Sequence, residues 1–544
     1  SSPERRCSRC QAFTTDLLME HAEGAEERRL RWNFVVMACS VAACDAVLTL
    51  PVGYATASLG HGVGQVGNGA MFANVVLSSM LVAPLVVSTL GPARSMILCM
   101  VIGAGAVSMF ALAAQQEAAS VEQWVMYLIA AMVDGQMQGI LWTAQGTFFA
   151  ATSGRLAQQR SPTEEVDYNH RTTDTDHGDR PSDASTIAEG LSIDKGSRMH
   201  RSGSKVSLGA AQSPSKALAC SVDRLPSNMS LGLQEAIYSV ADATEVQVDV
   251  DEGIFQQVTA LLASRFAAVY LMVDVVVKLL ASALRGDFLA WTHVWPAVMT
   301  CPHVFSALSG ISLLAALVTG LFVEEAVVSS QASEQPCDRF RAAIRLWPLS
   351  QLWCLAFTNL SFGFSTGYMN GVVNARFAKQ NHHFQEGSIG TLMAATSCIA
   401  AMCSLTFGHL VQHTGKLLIV SIGAIAFSCI SLSVLLWCPQ EANNYWGPWL
   451  LVLYALQGIG RSVYEGTNRM LFANTFQGGD SSGAFANCTM QAGSALFMAF
   501  LLESTRHGAA ASAWATLAFA ACIVPGYLSA EAIREREPRS GSGP

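Results

Sequence analysis

The chain has 544 residues, of which 51% are hydrophobic and only 13% are charged, whereas ordinary soluble domains carry about 25% charged residues. Apolar runs of the length that a bilayer requires recur along it, which excludes a soluble single domain and indicates a polytopic membrane protein. The formal charge of −8 comes without any basic stripe carrying interleaved aromatic residues, so nucleic-acid binding is excluded.

The N-terminal segment, residues 1–31, is charged and lacks the apolar core of a cleavable signal. We expect it to be a cytoplasmic tail, with the first span itself directing the chain to the membrane. The fifteen cysteines are scattered, and most of them fall inside apolar runs. There they act as small hydrophobic residues, and no disulfide framework is predicted.

Apolar stretches bounded by turn residues or charges predict twelve membrane spans, six on each side of residue 335. They lie near residues 32–56, 67–89, 94–114, 121–149, 258–284, 304–323, 350–373, 388–411, 417–438, 447–473, 483–503 and 510–530. The pattern predicts an all-α membrane protein with twelve transmembrane helices in two six-helix halves.

A long polar segment separates spans 4 and 5. Residues 154–255 are rich in Ser, Asp, Thr, Gly and Arg and cannot bury enough apolar surface to offset the entropy of ordering, so we expect a disordered cytoplasmic insertion. Within it, Arg198 and Arg201 precede Ser204 as basophilic kinases prefer, which makes Ser204 a candidate regulatory site; the alternative is a solvated linker. The other expected segments are spans 1–4 (32–153), spans 5 and 6 (256–324), a linker (325–349), spans 7–12 (350–530) and a cytoplasmic C-terminal tail (531–544).

The positions of Lys and Arg predict that both termini are cytoplasmic. With the N-terminus inside, the inner segments other than the insertion hold fourteen of these residues and the outer loops hold four, and cytoplasmic loops carry the excess. In the linker, Phe340, Ile344 and Trp347 share one helical face while arginines take the others. This predicts a short helix at the inner membrane interface that anchors the two halves.

Charged side chains at membrane depth cost at least about 2.5–3.5 kcal/mol each, so each needs a partner or a water-filled cavity. Asp45 in span 1 has no partner nearby in sequence, and Pro51 follows it, where a broken helix would expose backbone groups to a cavity. Asp45 must find a partner on another helix, become neutral or face water, and we rank it with Asp134 as a candidate proton- or cation-coupling residue. In span 5, Asp274 and Lys278 lie four residues apart, which favours a structural ion pair.

One face of span 4 carries a polar stripe that consists of Asp134, Gln138, Trp142 and Gln145. One interpretation makes Asp134 a titrating or cation-binding group at the edge of a central cavity, with Gln138 and Gln145 as hydrogen-bonding groups for a solute. The other interpretation makes the stripe a contact between helices. Gly135 and Gly139 form a G-x-x-x-G pair on a neighbouring face, which predicts the close approach of another helix.

Span 10 carries a second polar group, formed by Arg461, Glu465, Asn468 and Arg469. Arg461 and Glu465 are four residues apart and are expected to pair on one face, with Arg469 sharing Glu465. A structural network is favoured; the alternative is that Arg461 contacts an anion or that Glu465 is a coupling carboxylate, with Asn468 as a further candidate beside them. In span 7, Asn370 is a candidate site residue against the alternative that it only joins helices.

Two junctions of the chain are alike. Residues 84–94 read PLVVSTLGPAR and residues 408–416 read GHLVQHTGK, with Pro-to-Gly and Gly-to-Gly distances of seven residues, as two parallel repeats would give. The junctions resemble the motif of the major facilitator superfamily between spans 2 and 3, roughly G-x-L-A-D-R-x-G-R-K. Gly408, Leu410, Gly415 and Lys416 match it, while Ser88 and Gln412 stand at the acidic position. The resemblance implies two parallel six-helix repeats and a gating-loop motif that comprises Gly91, Arg94, Gly408, Gly415 and Lys416.

A narrower resemblance rests on GILWTAQGTFFA at residues 139–150, which follows the LGPAR junction. A tryptophan, a small residue, glutamine and glycine near the end of span 4 are similar to the Unc-ninety-three-like branch of the superfamily. Some members of that branch are described as ion-channel regulators or receptor-trafficking partners rather than carriers. The resemblance therefore implies either a transporter or an adaptor.

The sequence contains no P-loop, catalytic constellation or metal-ligand cluster, so we expect neither an enzyme nor an ATP-driven pump, and no cofactor or metal. We expect a secondary transporter in the lipid bilayer that moves a small solute or ion by alternating access, with proton or cation coupling. The alternative is a non-transporting adaptor or ion-channel regulator that binds another membrane protein.

Overall fold

The computed structural model describes residues 4–59, 62–160, 252–285, 299–325, 336–379, 381, 388–437, 446–476 and 480–536, and every regular element within them is a helix. The first half of the chain forms α1 (Glu4–Ser58), α2 (Val63–Leu90), α3 (Pro92–Ala113), α4 (Val121–Arg160), α5 (Glu252–Arg285) and α6 (Cys301–Phe322). Helix α4 continues past the predicted span and α5 begins before its own. The rest of the predicted insertion, with Ser204, lies outside the described residues.

The second half begins with the short helix α7 (Pro336–Arg345) and continues with α8 (Ser350–Tyr368, then π-helical Met369–Ala378), α9 (Ile389–Thr414) and α10 (Lys416–Trp437). It ends with α11 (Leu450–Ser462, π-helical Val463–Asn468, then Arg469–Thr475), α12 (Asp480–Glu503) and α13 (Gly508–Arg536). Helix α7 occupies the place of the predicted interfacial helix. Ala343 and Leu346 are buried, whereas Ile344 and Trp347 are exposed.

Nine helices in the described ranges are long and apolar enough to cross a membrane. Helices α4, α8 and α11 are not among them. Both α8 and α11 change into π-helical segments, and all three carry polar residues in their middle. These are the three helices that supply most of the polar side chains described below.

Two glycines end helices in the same conformation. Gly91, between α2 and α3, has φ/ψ of 83°/160°, and Gly415, between α9 and α10, has 81°/172°. Each donates its N–H to the carbonyl four residues earlier, at 3.0 Å for Gly91 and 3.1 Å for Gly415. A positive φ is open to glycine at no steric cost, so the glycines of the predicted loop motif end the two helices.

The G-x-x-x-G pair of α4 packs against α2. A Cβ on Gly135 would lie 2.1 Å from the carbonyl oxygen of Met71, and one on Gly139 would lie 2.7 Å from Cβ of Ser78. The close approach predicted from the spacing is therefore observed. Contacts between the halves join α2 to α12, α5 to α9 and α11, and α1 to the π-helical segment of α8.

Candidate functional site

A central cavity lies between the two halves and is lined by residues of α1, α2, α4, α5, α8, α9, α11 and α12. About 170 Å³ of it is available to the centres of water-sized molecules, whereas one water needs roughly 10–15 Å³. The polar lining consists of Asp45, Thr49, Gln138, Tyr270, Lys278, Thr366, Asn370, Asn374, Thr396, Tyr454, Gln457, Arg461, Tyr464, Glu465, Arg469, Cys488 and Thr489. This cavity has room for a small solute.

Asp274 is the centre of an ion network beside the cavity. Its Oδ2 lies 2.7 Å from Nζ of Lys278 on the same helix and 2.9 Å from Nη1 of Arg461 on α11. Ser397 on α9 donates to the same oxygen at 2.6 Å. The Asp274–Lys278 pair is the one predicted from their spacing. Because Asp274 is fully buried, these partners offset a desolvation cost that would otherwise exclude the charge.

Tyr270 extends this network to Asp45. The phenol of Tyr270 donates to Oδ2 of Asp45 on α1, and Nη2 of Arg461 donates to the phenol oxygen at 3.3 Å. The guanidinium of Arg461 also lies 5.8 Å from the centre of the Tyr270 ring. Of the alternatives left open for Asp45, the structure shows a partner on another helix, and Asp45 is joined to Arg461 through the hydroxyl of that partner, Tyr270.

Arg469 forms a second polar group further along α11. Its Nη2 lies 2.7 Å from Oε2 of Glu465, and its Nη1 donates to Gln145 on α4. The guanidinium also lies 4.5 Å from the centre of the Trp142 ring, a distance at which a cation and an aromatic face attract each other. This group crosses between the halves, as the Asp274 network does.

The expected pairing of Arg461 with Glu465 is not observed, whereas the expected contact of Arg469 with Glu465 is. Arg461 pairs with Asp274 and Glu465 pairs with Arg469. The guanidinium of Arg461 instead reaches Asp274 and Tyr270 on α5, partners that the spacing within α11 cannot reveal.

Asp134 lies off the central cavity, contrary to the expectation that it stands at the cavity edge. It lines a small separate pocket beside Pro51 and Tyr127, and Gln138 donates to its Oδ1 at 3.2 Å. Gln138 itself lines the cavity. Gln145 does not line it and reaches the site only through Arg469.

The asparagines of the site are held by other amides and by a phenol. Asn370 lines the cavity and accepts from Asn374 at 3.1 Å, and Tyr454 donates to Asn374 at 2.5 Å. Asn468 lies outside the lining and donates at 2.7 Å to Asn359 on α8. Asn468 therefore joins two helices of the second half.

The two halves contact each other toward both ends of the helix bundle. At the end where α1 stops, here called the Ser58 end, Thr56 donates to the carbonyl of Asn370 at 2.8 Å, and Lys379 donates to the carbonyl of Ala57 at 2.6 Å. At the opposite Gly91 end, the rings of Phe149 and Phe485 meet edge to face with centroids 6.3 Å apart.

The Gly91 end also contains Glu325, which follows α6. Its Oε1 accepts from the backbone N–H of Ala93 at 3.1 Å. Burial raises the pKa of the Glu325 carboxyl above its usual value, while the backbone N–H groups of Ala93 and Arg94 and the charge of Arg94 oppose that rise. Arg94 of the predicted loop motif therefore faces a carboxylate from α6. Of the other motif residues, Gly408 on α9 packs against Ser264 on α5, and Lys416 begins α10.

Sequence reasoning missed Tyr270, Ser397, Tyr454 and Gln457 as site residues. A hydroxyl or amide in an apolar span is common and gives no signal by spacing. Their roles depend on partners more than 50 residues away in every case.

Curated relatives match part of the chain, while no family model matches it. Protein unc-93 homolog A of Mus musculus is 29% identical over 189 residues, which is 33% of this chain and 39% of the relative. Protein unc-93 homolog A of Bos taurus is 30% identical over 99 residues, which is 18% of this chain and 21% of the relative. The match therefore spans about two fifths or less of the length of these relatives.

A solved structure extends the likeness along the chain. The crystal structure of the human organic anion transporter MFSD10 (TETRAN) covers 93% of this chain and 99% of its own, with a TM-score of 0.50 at 12% identity. The chain therefore has the fold of that transporter, and part of it resembles protein unc-93 homolog A. With nine helices in its described part that are long and apolar enough to cross a membrane, the chain is an integral multi-pass membrane protein.

Proposed function

We propose that the protein is a secondary transporter in which two parallel six-helix repeats, α1–α6 and α8–α13, alternate around the central cavity. The two equivalent glycine junctions, at Gly91 and Gly415, support the repeat. In this proposal both termini are cytoplasmic, as the distribution of Lys and Arg predicts. A small solute or ion occupies the cavity, with Gln138 and Asn370 among its contacts.

The observation that carries the proposal is the buried polar network between the halves. Tyr270 and Asp274 from α5 hold Arg461 from α11, and Gln145 from α4 holds Arg469. A network that served stability alone would be replaced at little cost by apolar packing. Alternating access needs such contacts, because opening either end requires polar groups that exchange partners between two states.

We assign the coupling role to Asp45 rather than to Asp134. Asp45 is 1% exposed, lines the cavity and has one carboxylate oxygen, Oδ1, without a hydrogen-bond partner. A proton or cation on Asp45 would remove the charge that orients Tyr270, and through Tyr270 would alter the hold on Arg461. Glu465, paired with Arg469, is the second coupling candidate.

The alternative function is a non-transporting adaptor that binds another membrane protein. In that case the contacts at the Ser58 and Gly91 ends would persist in a single state, and the cavity would tolerate substitution. The two functions differ in whether the halves move.

Distances measured between spin labels at both ends test the proposal. The labels are placed on cysteines in a cysteine-depleted background in lipid nanodiscs. The Ser58 end is measured with the pair Glu117→Cys and Arg506→Cys, and the Gly91 end with the pair Thr89→Cys and His413→Cys. All four positions are exposed. A transporter is expected to show two distances at each end, with the Ser58 end widening under the conditions in which the Gly91 end narrows. One fixed distance at both ends between pH 5 and 8 contradicts the proposal and favours the adaptor.

A further inference from the structure

The positive charges around the central cavity are all paired with carboxylates of the protein. Lys278 and Arg461 share Asp274, and Arg469 pairs with Glu465. Arg469 is further engaged by the amide of Gln145 and the ring of Trp142. An anionic solute that took Arg469 would leave Glu465 uncompensated, and one that took Arg461 would leave Asp274 with Lys278 alone.

Asp45 differs from these groups because no cation contacts it among the residues that the structure describes. Its Oδ2 accepts only from the neutral phenol of Tyr270, and its Oδ1 is buried without any hydrogen-bond partner. A buried acceptor that is left without a hydrogen bond costs about 1–3 kcal/mol, and more when it is charged. Among the acidic residues that line the cavity, Asp45 is the one that lacks a cationic partner within the described part of the chain.

The remaining lining suits an apolar body with aromatic character. Phe72, Phe362, Phe485, Met369 and Met393 line the cavity together with Trp142 and the tyrosines. Aromatic faces and thioethers pack favourably on aromatic rings and attract cations. A solute that carried only charge would leave this surface without a partner.

From this arrangement we infer that the cavity takes small monovalent organic cations, each with an ammonium group that donates to Oδ1 of Asp45 and an aromatic or aliphatic body against the apolar lining. The inference rests on the proposed function, since it names the class of solute for the same cavity. The three basic side chains near the cavity are held by Asp274 and Glu465, so an anion would have to compete with these buried ion pairs.

Binding of a matched set of probes tests the inference. Phenethylammonium, phenethyl alcohol and 3-phenylpropionate share an aromatic body and differ in charge. Binding of each to the full chain in nanodiscs at pH 7 is followed by tryptophan fluorescence, since Trp142 lines the cavity, and by the shift in thermal unfolding temperature. Phenethylammonium is expected to bind at least tenfold more tightly than the other two probes.

Two Asp→Asn variants locate the charge that selects the cation. Asp45→Asn is expected to remove the preference for phenethylammonium, whereas Asp134→Asn, which changes a buried acid outside the cavity lining, is expected to retain it. If Asp45→Asn fails to fold, Asp45→Glu is the second variant. It is expected to keep the preference for phenethylammonium and to bind this probe with an altered affinity.

Three results overturn the inference. They are tighter binding of 3-phenylpropionate, no binding of phenethylammonium, and a cation preference that survives Asp45→Asn. The proposed function is tested separately by the spin-label distances. If the two ends alternate while the probes show no cation preference, the transporter stands and the assignment of its solute falls.

Discussion

Arg461 on α11 and Asp274 on α5 form an ion pair across the two halves of the protein, with Nη1 and Oδ2 2.9 Å apart. The carboxylate is fully buried and the arginine side chain is 13% exposed. Lys278 approaches the same oxygen atom, so one carboxylate balances cations from both halves. The partners of this pair determine the expected effects of several substitutions.

Replacing Asp274 by Asn should destabilise the protein strongly. Lys278 and Arg461 would then remain buried without a counter-charge, and breaking a buried pair in this way costs about 3–5 kcal/mol. Asp480→Asn is the matched control, because the Asp480–Arg345 pair is exposed at 38% and 74% and such pairs contribute about 0–1 kcal/mol. Thermal unfolding in nanodiscs measures both variants, and equal losses would contradict the role of the buried network.

Gly135→Ala should lower the unfolding temperature, whereas Gly105→Ala should leave it unchanged or raise it slightly. A Cβ at position 135 would lie 2.1 Å from the backbone oxygen of Met71, while a Cβ at position 105 would meet nothing within 4 Å. Forcing the helices apart costs about 1–3 kcal/mol, and alanine favours a helix over glycine by up to about 1 kcal/mol. A loss is expected for Gly135→Ala alone in the same unfolding assay, and an equal loss for both variants would count against the packing of α4 on α2.

Glu325→Gln should become progressively more stable than the natural chain as the pH rises from 4 to 7. The amide keeps an acceptor for the N–H of Ala93. Burial raises the pKa of Glu325 in the folded protein, so the folded state binds more protons than the unfolded state just above the ordinary pKa, and stability falls as the pH increases. Unfolding temperatures of the two proteins, compared at each pH, measure the effect; a gap that stays constant with pH would contradict it.

Asp45→Asn should abolish any pH dependence of the spin-label distances, and Asp134→Asn should preserve it. The amide at position 45 cannot take up or release a proton as the pH changes. Asp134 lies in a small pocket that is separate from the central cavity. Distances at both ends between pH 5 and 8 supply the test. If Asp134→Asn alone loses the pH dependence, the coupling residue is Asp134 rather than Asp45.

Local spacing identified features whose partners lie nearby in sequence. The apolar runs located the long helices, G-x-x-x-G located the close contact of α4, and i, i+4 spacing located the Asp274–Lys278 pair. Spacing could not identify Arg461 as the partner of Asp274, because 187 residues separate them. Long-range partners follow from the way helices assemble, which depends on many weak contacts at once.

The polar stripe of α4 shows a second limit of prediction from residue spacing. At about 100° per residue, Gln145 lies about 20° around the helix from Asp134, whereas Gln138 and Trp142 lie about 40° and 80° around it. Gln138 and Trp142 line the cavity, and the other two do not. The spacing therefore gave the correct face of the helix within one quarter-turn, but only the assembled bundle determines which edge of that face meets the cavity.

The two π-helical segments of the second half, Met369–Ala378 and Val463–Asn468, have a mechanical consequence. Each contains more residues per turn than the α-helix on either side, and the surplus residue can pass along the helix by exchanging one backbone hydrogen bond at a time. The first segment contacts α1, and the second carries Glu465. Part of a helix can therefore rotate relative to its own far end while its backbone stays bonded, so side chains beside the cavity can be redirected without displacing the helix as a whole.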